Sequence, residues 1–147
     1  MNDIELRHAE TDDDLRACFA VMQELRPNLQ NDADFLQRIA RMRGESYQLL
    51  AVWQAGKPIA LAGYRHQENL IHGRFLYVDD LIVTEKSRSS RWGAKLLDEM
   101  EIIARSTACQ RLVLDTGLAN ALAQRFYFRW GLLTSAIRFG KPLAEGS

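Results

Sequence analysis

The stretch 77–97 constrains the fold of this chain more than any other. It opens in an apolar strand run, 75–83, the longest strand signal in the sequence, broken only by the adjacent acids Asp79 and Asp80. Near-continuous apolar character predicts an interior strand covered on both faces. The run passes through a turn of small and basic residues into a helix over 90–107 that puts Trp92, Leu96, Met100 and Ile103 on one side. A strand that hands over through such a turn to a helix N-terminus leaves backbone N–H groups unpaired, a ready place for a pyrophosphate. Beside strand carboxylates, that arrangement suggests group transfer from a nucleotide-bearing cofactor.

Spacing and turn chemistry set the elements around this centre. Ile4 and Leu6 alternate with polar neighbours in a short first strand ending near Ala9. Thr11 can cap the helix that follows. Asp12, Asp13 and Asp14 suit its positive end, Leu15, Phe19, Met22 and Leu25 recur at helical spacing, and Pro27 stops it. A second helix is predicted over 32–43, apolar at Phe35, Leu36, Ile39 and Met42 and ended by Gly44, so that two helices form a flap over one end of a sheet. Strands over 47–53 and 59–65 flank a turn at 55–58 as an antiparallel hairpin, and 66–73 reads as a loop. A short strand at 111–114, a helix over 119–130 closed by Gly131 and a last strand over 132–139 complete the chain. The order β-α-α-β-β-β-α-β-α-β makes an α/β (α+β) mixed sheet with helices on both faces, in a single domain over 1–147.

Composition removes several classes of function. A chain of 147 residues buries a core without disulfides or metal. Its 19 basic side chains balance 19 acidic ones, so no long-range field draws it to nucleic acid. No apolar run approaches the roughly 18 residues of a membrane span. Cys18 and Cys109 sit apart in apolar patterns and read as reduced core thiols, and the N-terminus has no basic and apolar leader, so the expected location is the cytoplasm. His8, His66 and His72 lack the close spacing of a metal site, and no metal is expected.

Two motifs carry a family resemblance. Val83 is followed by four residues and then by Arg88-Ser89-Ser90-Arg91-Trp92-Gly93. Further on, Asn120-Ala121-Leu122-Ala123-Gln124-Arg125-Phe126-Tyr127 precedes Trp130-Gly131-Leu132. In this element order the chain resembles the GNAT family of acetyl-CoA-dependent N-acetyltransferases. That family's phosphate motif is a strand valine, four residues, then Gln/Arg-x-x-Gly-x-Gly/Ala, and its later helix carries Asn-x(4 or 5)-Phe-Tyr with a following Gly-Phe. Arg88 and Gly93 match, Arg91 stands at the middle glycine, and Leu132 replaces the final phenylalanine. Arginine adds bulk where glycine lets a backbone approach a pyrophosphate, and it adds a charge that a phosphate accepts. The resemblance covers residues 75–139, and the N-terminal part agrees in layout.

The resemblance implies direct transfer of an acetyl group from acetyl-CoA to a primary amine of a small molecule or protein. It places the cosubstrate at Leu81, Ile82 and Val83, around the turn and helix start at Arg88, Ser89, Ser90, Arg91, Trp92, Gly93 and Ala94, and at Asn120 and Tyr127. A backbone N–H of Ile82 or Val83 would hold the thioester carbonyl, and Tyr127 would protonate the leaving sulfur. Asp79 or Asp80 would take the ammonium proton. Alternation puts these two on opposite faces unless a bulge intervenes, and Asp79 is favoured because several family members carry an acid at its place. Asp80 would then cap or pair with a neighbouring element, and Asn120 would bind a cofactor amide or cap its helix. The flap segment 24–29, the loop 65–74 and the segment 132–141 would select the acceptor, with His72 more than His66 bordering it. Their mixed charges and aromatics name no acceptor. A homodimer through C-terminal strands is a further implication. The rival implication is an acyl-CoA-binding sensor without turnover, supported mainly by Arg91.

Overall fold

Alternation decides which layer each strand residue serves, and the second strand shows it most clearly. In the computed structural model, which describes residues 3–144, β1 spans Ile4–His8 and β2 spans Gln48–Gln54. β2 buries Leu49, Ala51 and Trp53 toward one layer and Leu50 and Val52 toward the other. β3 (Lys57–Asn69), β4 (Gly73–Val83) and β5 (Arg111–Leu114) continue the sheet in chain order. The first four strands are antiparallel, and β5 runs parallel to β4. A parallel step needs a crossover, which a helix at Trp92–Ser106 supplies.

Two helices cover the first face. α1 (Asp12–Leu25) starts on Thr11, whose Oγ1 accepts the Asp14 N–H at 3.0 Å, and α2 (Asp32–Arg43) starts on Asn31, whose Oδ1 accepts the Asp34 N–H at 2.8 Å. Aspartates in both first turns suit the helix dipole. Leu15, Cys18, Val21 and Met22 of α1, with Phe35 and Ile39 of α2, close over Tyr47, Leu49, Trp53 and Leu61. The crossover helix, α3, buries Leu96, Met100 and Ala104 against Val52, Ala62, Tyr64, Leu76 and Val78 on the second face. Each large apolar side chain so buried contributes about 1.5–3 kcal/mol.

Two bulges interrupt the ladders. Val52 pairs with Ala60 and Trp53 with Pro58, so Ile59 is extra on β3. Gly63 pairs with Asp80 and Tyr64 with Val78, so Asp79 is extra on β4. The second bulge therefore falls on the acid pair.

The structure changes two expectations. The segment 66–73 is the outer part of a long hairpin, with β3 and β4 paired out to Asn69 and Gly73. Asn69 Oδ1 accepts the N–H groups of Ile71 and His72 at 3.0 and 2.7 Å, and Gly73 adopts φ +68°. Polar side chains concealed this ladder because it runs past the core, with residues 67–69 exposed. The strand expected over 132–139 is the other correction: among the described residues no strand follows the last helix, and Leu133, Ile137 and Phe139 are exposed. Strand propensity becomes a strand only on a neighbour's ladder, and none receives this segment.

The sheet with α1, α2 and α3 makes up one unit, residues 1–115, and residues 116–147 form a second. The second unit holds α4 (Ala121–Trp130), capped by Asn120 and left through Gly131 at φ +120°. No helix among the described residues is long and apolar enough to cross a membrane.

Candidate active site

The bulge on β4 assembles a network of acids and bases. Asp80 is buried, 8% exposed. Its Oδ2 accepts the Tyr47 hydroxyl at 2.7 Å, and its Oδ1 accepts Nε of Arg26 at 3.0 Å with Nη2 of Arg26 at 2.9 Å. Arg26 also donates from Nη2 to the Asp79 carbonyl at 2.8 Å, so the connection after α1 is fastened to both residues. Asp79 Oδ2 accepts Nε of Arg65 at 2.7 Å, and Nη1 of Arg65 reaches Glu45 at 3.3 Å. The Arg65 guanidinium lies 5.7 Å from the centre of the Tyr47 ring.

Charge and burial set the protonation behaviour of these groups. Burial lifts the Asp79 carboxyl above its ordinary value, against the hydrogen bond and charge of Arg65 and with help from Asp80. The Tyr47 phenol is pushed well above its usual range by burial first, and then by Asp80 and Asp79. Asp80 meets Tyr47 directly and Asp79 is linked to it through Arg65, although strict alternation would turn the two acids to opposite faces of β4. The bulge supplies the exception.

Past the bulge, β4 keeps its ladder with β3, pairing Leu81, Ile82 and Val83 with Ala62, Leu61 and Ala60. Its ladder with β5 ends at Val78–Leu114, so along 79–83 the other backbone edge has no strand partner among the described residues. Thr84 N–H returns to the Ile59 carbonyl at 2.9 Å, and a short 3-10 turn follows at Glu85–Ser87. Ser90 donates both its N–H and its hydroxyl to the Ser87 carbonyl. Arg88 donates Nε–H to the Val83 carbonyl at 3.3 Å.

α3 begins without a side-chain cap. Arg91 is its N-cap residue at φ −47° and ψ 22°, and the first helical bond runs from Lys95 N–H to the Arg91 carbonyl at 3.1 Å. The N–H groups of Trp92, Gly93 and Ala94 precede that bond, as the first turn of any helix requires. Arg91 does not need the left-handed region, so a side chain at the usual glycine position brings no backbone strain. Lys86, Arg88, Arg91 and Lys95 surround this turn with positive charge. Trp92 packs on the core of the second face, and Lys95 Nζ lies 4.8 Å from its ring centre. The chemistry of the set fits a diphosphate: uncapped N–H groups at a helix start, the exposed Ser89 and two arginines.

In the second unit, Asn120 Oδ1 accepts the Ala123 N–H at 3.1 Å, the helix-capping role. Tyr127 lies on α4, its ring 5.5 Å from that of Phe126.

The histidines serve other parts of the first unit. His8 Nε2 meets the Tyr64 hydroxyl at 2.8 Å, His66 Nε2 meets Thr107 Oγ1 at 2.9 Å, and burial lowers the pKa of both. His72 sits at the hairpin tip, with Nδ1 3.4 Å from Arg111. Both loop histidines therefore stand toward the start of β4, away from the turn after Val83. A cavity of about 530 Å³ opens at that same end of the sheet, lined by His8, Glu10, Arg43, Gln48 and His66 among others, and of the acid network it meets only Tyr47. Among the described residues no three His, Cys, Asp or Glu side chains gather as a metal site requires.

Sequence alone did not join Tyr47, Gly63, Arg26 or Arg65 to the acid pair, although Arg26 and Arg65 lie in segments expected to border the acceptor. One signal was present: an isolated glycine inside a strand run marks a bulge or a close approach. A Cβ on Gly63 would stand 1.9 Å from the Tyr47 hydroxyl oxygen and 2.7 Å from Asp80 Oδ2. The glycine is therefore what lets the phenol reach the acid.

Comparison with known proteins agrees with this geometry. The chain matches the Acetyltransferase (GNAT) family over residues 9–132 and belongs to that family. It is 30% identical over 142 residues to the uncharacterized N-acetyltransferase YhdJ of Bacillus subtilis (strain 168), covering 95% of this chain and 99% of that protein. It is 28% identical over 144 residues to the aminoalkylphosphonate N-acetyltransferase of Salmonella typhimurium, covering 95% and 91%. Among solved structures, the aminoglycoside N-acetyltransferase AAC(6')-Iy in complex with CoA shares the fold, with a TM-score of 0.82 over 98% of this chain and 97% of that one at 14% identity. The resemblance drawn from the two motifs holds: the fold is that of a GNAT acetyltransferase and the chain is an N-acetyltransferase.

Proposed function

We propose that this N-acetyltransferase is one catalytic domain that uses acetyl-CoA and passes the acetyl group directly to a primary amine of a small molecule or a protein. Acetyl-CoA supplies an acyl group activated as a thioester, and the remaining work falls to the chain. The backbone N–H groups at the start of α3, with the charges of Arg88 and Arg91 and the hydroxyl of Ser89, hold the pyrophosphate, and Ser90 shapes the turn through its bonds to the Ser87 carbonyl. The edge of β4 at Leu81, Ile82 and Val83 receives the acyl arm, and an N–H of Ile82 or Val83 polarises the carbonyl. Asp79 takes the ammonium proton, directly or through water. Its raised pKa brings it nearer to the range where a general base works. Asp80, fastened by Tyr47 and Arg26, holds the bulge in shape rather than moving a proton. Tyr127 is assigned from its place in the Asn-to-Tyr pattern as the group that protonates the leaving thiolate, and Asn120 as a cofactor contact beside its capping role.

The observation that carries this reading is the succession of two open features within a short stretch of chain. Among the described residues β4 has an edge without a strand partner along 79–83, and a helix start without a side-chain cap follows at Arg91. The free thiols of Cys18 and Cys109 are in keeping with a cytoplasmic setting, and a homodimer is the assembly that the family resemblance implies.

Calorimetric titration with acetyl-CoA and with CoA tests the site, followed by turnover on a panel of amines. The names of the relatives put an aminoalkylphosphonate and an aminoglycoside on that panel. Micromolar binding with turnover of any amine supports the proposal. Binding without turnover of any amine reduces the chain to an acyl-CoA-binding sensor, and no binding at millimolar ligand overturns the site.

A further inference from the structure

The last turn of α1 grips the cofactor turn as well as the acid pair. Glu24 Oε1 accepts the backbone N–H of Glu85 at 3.1 Å, and the same oxygen lies 3.6 Å from Nη2 of Arg88. One carboxylate oxygen therefore has two separable effects. As a hydrogen-bond acceptor it satisfies the amide that opens the 3-10 turn, and so helps to shape the loop. As a charge it holds the Arg88 guanidinium, already bonded to the Val83 carbonyl, back against β4 and α1. Arg88 is 56% exposed and Glu24 34%, so a ligand in solvent can reach both.

We propose that Glu24 is a positioning residue that sets cofactor affinity through Arg88: its charge is the anion that a pyrophosphate must replace, while its hydrogen bond supports the loop that binds the pyrophosphate. The inference rests on the reading of residues 88–94 as the CoA site. Two arguments give the sign. The charge of Arg88 is already compensated by Glu24 at 3.6 Å, so a diphosphate competes with the carboxylate for it, and a carboxylate this close repels the incoming phosphates. A half-exposed ion pair is weak, so the effect on affinity is about two- to fivefold rather than orders of magnitude.

Two substitutions separate the effects. Glu24→Gln keeps an oxygen for the Glu85 N–H and removes the charge, whereas Glu24→Ala removes both. In calorimetric titration of the full chain with CoA, Glu24→Gln is expected to bind about two- to fivefold more tightly than the unsubstituted protein. Glu24→Ala should bind more weakly than Glu24→Gln. The gain should be smaller in an Arg88→Gln background, where no guanidinium is left to release and only the direct repulsion is relieved, and should shrink at high salt. CoA binding by the unsubstituted chain with no gain in Glu24→Gln would overturn this inference alone, as would a gain of full size in the Arg88→Gln background. Failure of the unsubstituted chain to bind CoA would overturn the site reading and this inference with it.

Discussion

The acid bulge and the turn proposed to hold the pyrophosphate lie close together along one chain, yet they are built by opposite means. At the bulge, Arg26, Tyr47, Gly63 and Arg65 arrive from three separate elements or connections to meet Asp79 and Asp80. The turn is held largely by itself, through Ser87 N–H to the Thr84 carbonyl, Ser90 to the Ser87 carbonyl and Arg88 to the Val83 carbonyl. Tyr47 and Asp80 are buried, whereas Arg88, Ser89 and Arg91 are exposed. Distant parts of the chain fix the surroundings and direction of the acid pair. The turn read as the pyrophosphate site needs little beyond its own conformation, with Glu24 of α1 as an outside support. Substitutions at the bulge should therefore act on the whole fold, and substitutions in the turn only on the ligand.

Gly63→Ala tests the first half of that contrast and should have the largest effect. Its Cβ would meet Tyr47 and Asp80 at distances that real contacts do not reach, and the phenol would have to move off the acid. Overpacking and the loss of a hydrogen bond to a buried carboxylate together cost about 3–5 kcal/mol, or roughly 10 °C in Tm. Tyr47→Phe removes the same bond without the clash. It should cost about 1.5–3 kcal/mol in urea unfolding, because it leaves Asp80 Oδ2 without its 2.7 Å donor. A Gly63→Ala protein as stable as the parent would show that the bulge yields easily and that the contrast drawn here is wrong.

The same contrast explains how much could be read from sequence. The cap at Thr11, the start near Asp32 and stop at Gly44 of the second helix, and the β4 to α3 handover are local signals, and they lie where spacing put them. The partners of the acids are not local. Arg26 is 54 residues from Asp80 along the chain and Tyr47 is 33, and no periodicity links them. Residues 66–69 misled because their side chains are polar, although their backbone pairs with β4. Residues 132–139 misled in reverse, because apolar side chains suggest a strand that still requires a ladder. The side-chain pattern reports burial, whereas strands are made by backbone partners.

A pH profile sharpens the comparison at Asp79, where the expected effect is smaller. Burial holds this carboxyl above its ordinary value of 3.8, and Arg65 pulls it down. If Asp79 is the base, the acidic limb of kcat/KM lies above the ordinary aspartate value. Asp79→Asn should abolish that limb and Asp80→Asn should keep it. Arg65→Gln removes the opposing hydrogen bond and charge, so the limb should move to still higher pH. Linkage gives the matching sign for stability. A folded pKa above the unfolded one stabilises the protein below about pH 3.8, and that contribution is lost as pH rises through the folded value. A limb that stays in place in Arg65→Gln would remove Asp79 from the base role.

Arg91→Gly restores the family's glycine and should have the smallest effect, confined to the ligand. The backbone at Arg91 has negative φ, so glycine relieves no strain, and glycine at a helix N-cap changes stability by only a few tenths of a kcal/mol. What the substitution removes is one of four positive charges around the turn. CoA affinity should fall about two- to fivefold at low ionic strength and less at high salt, with an unfolding curve that overlays the parent's. Tighter binding by Arg91→Gly would mean that the side chain stands in the path of the pyrophosphate. A loss beyond tenfold would mean that it grips phosphate directly, in which case the turn would depend on one placed side chain much as the bulge does.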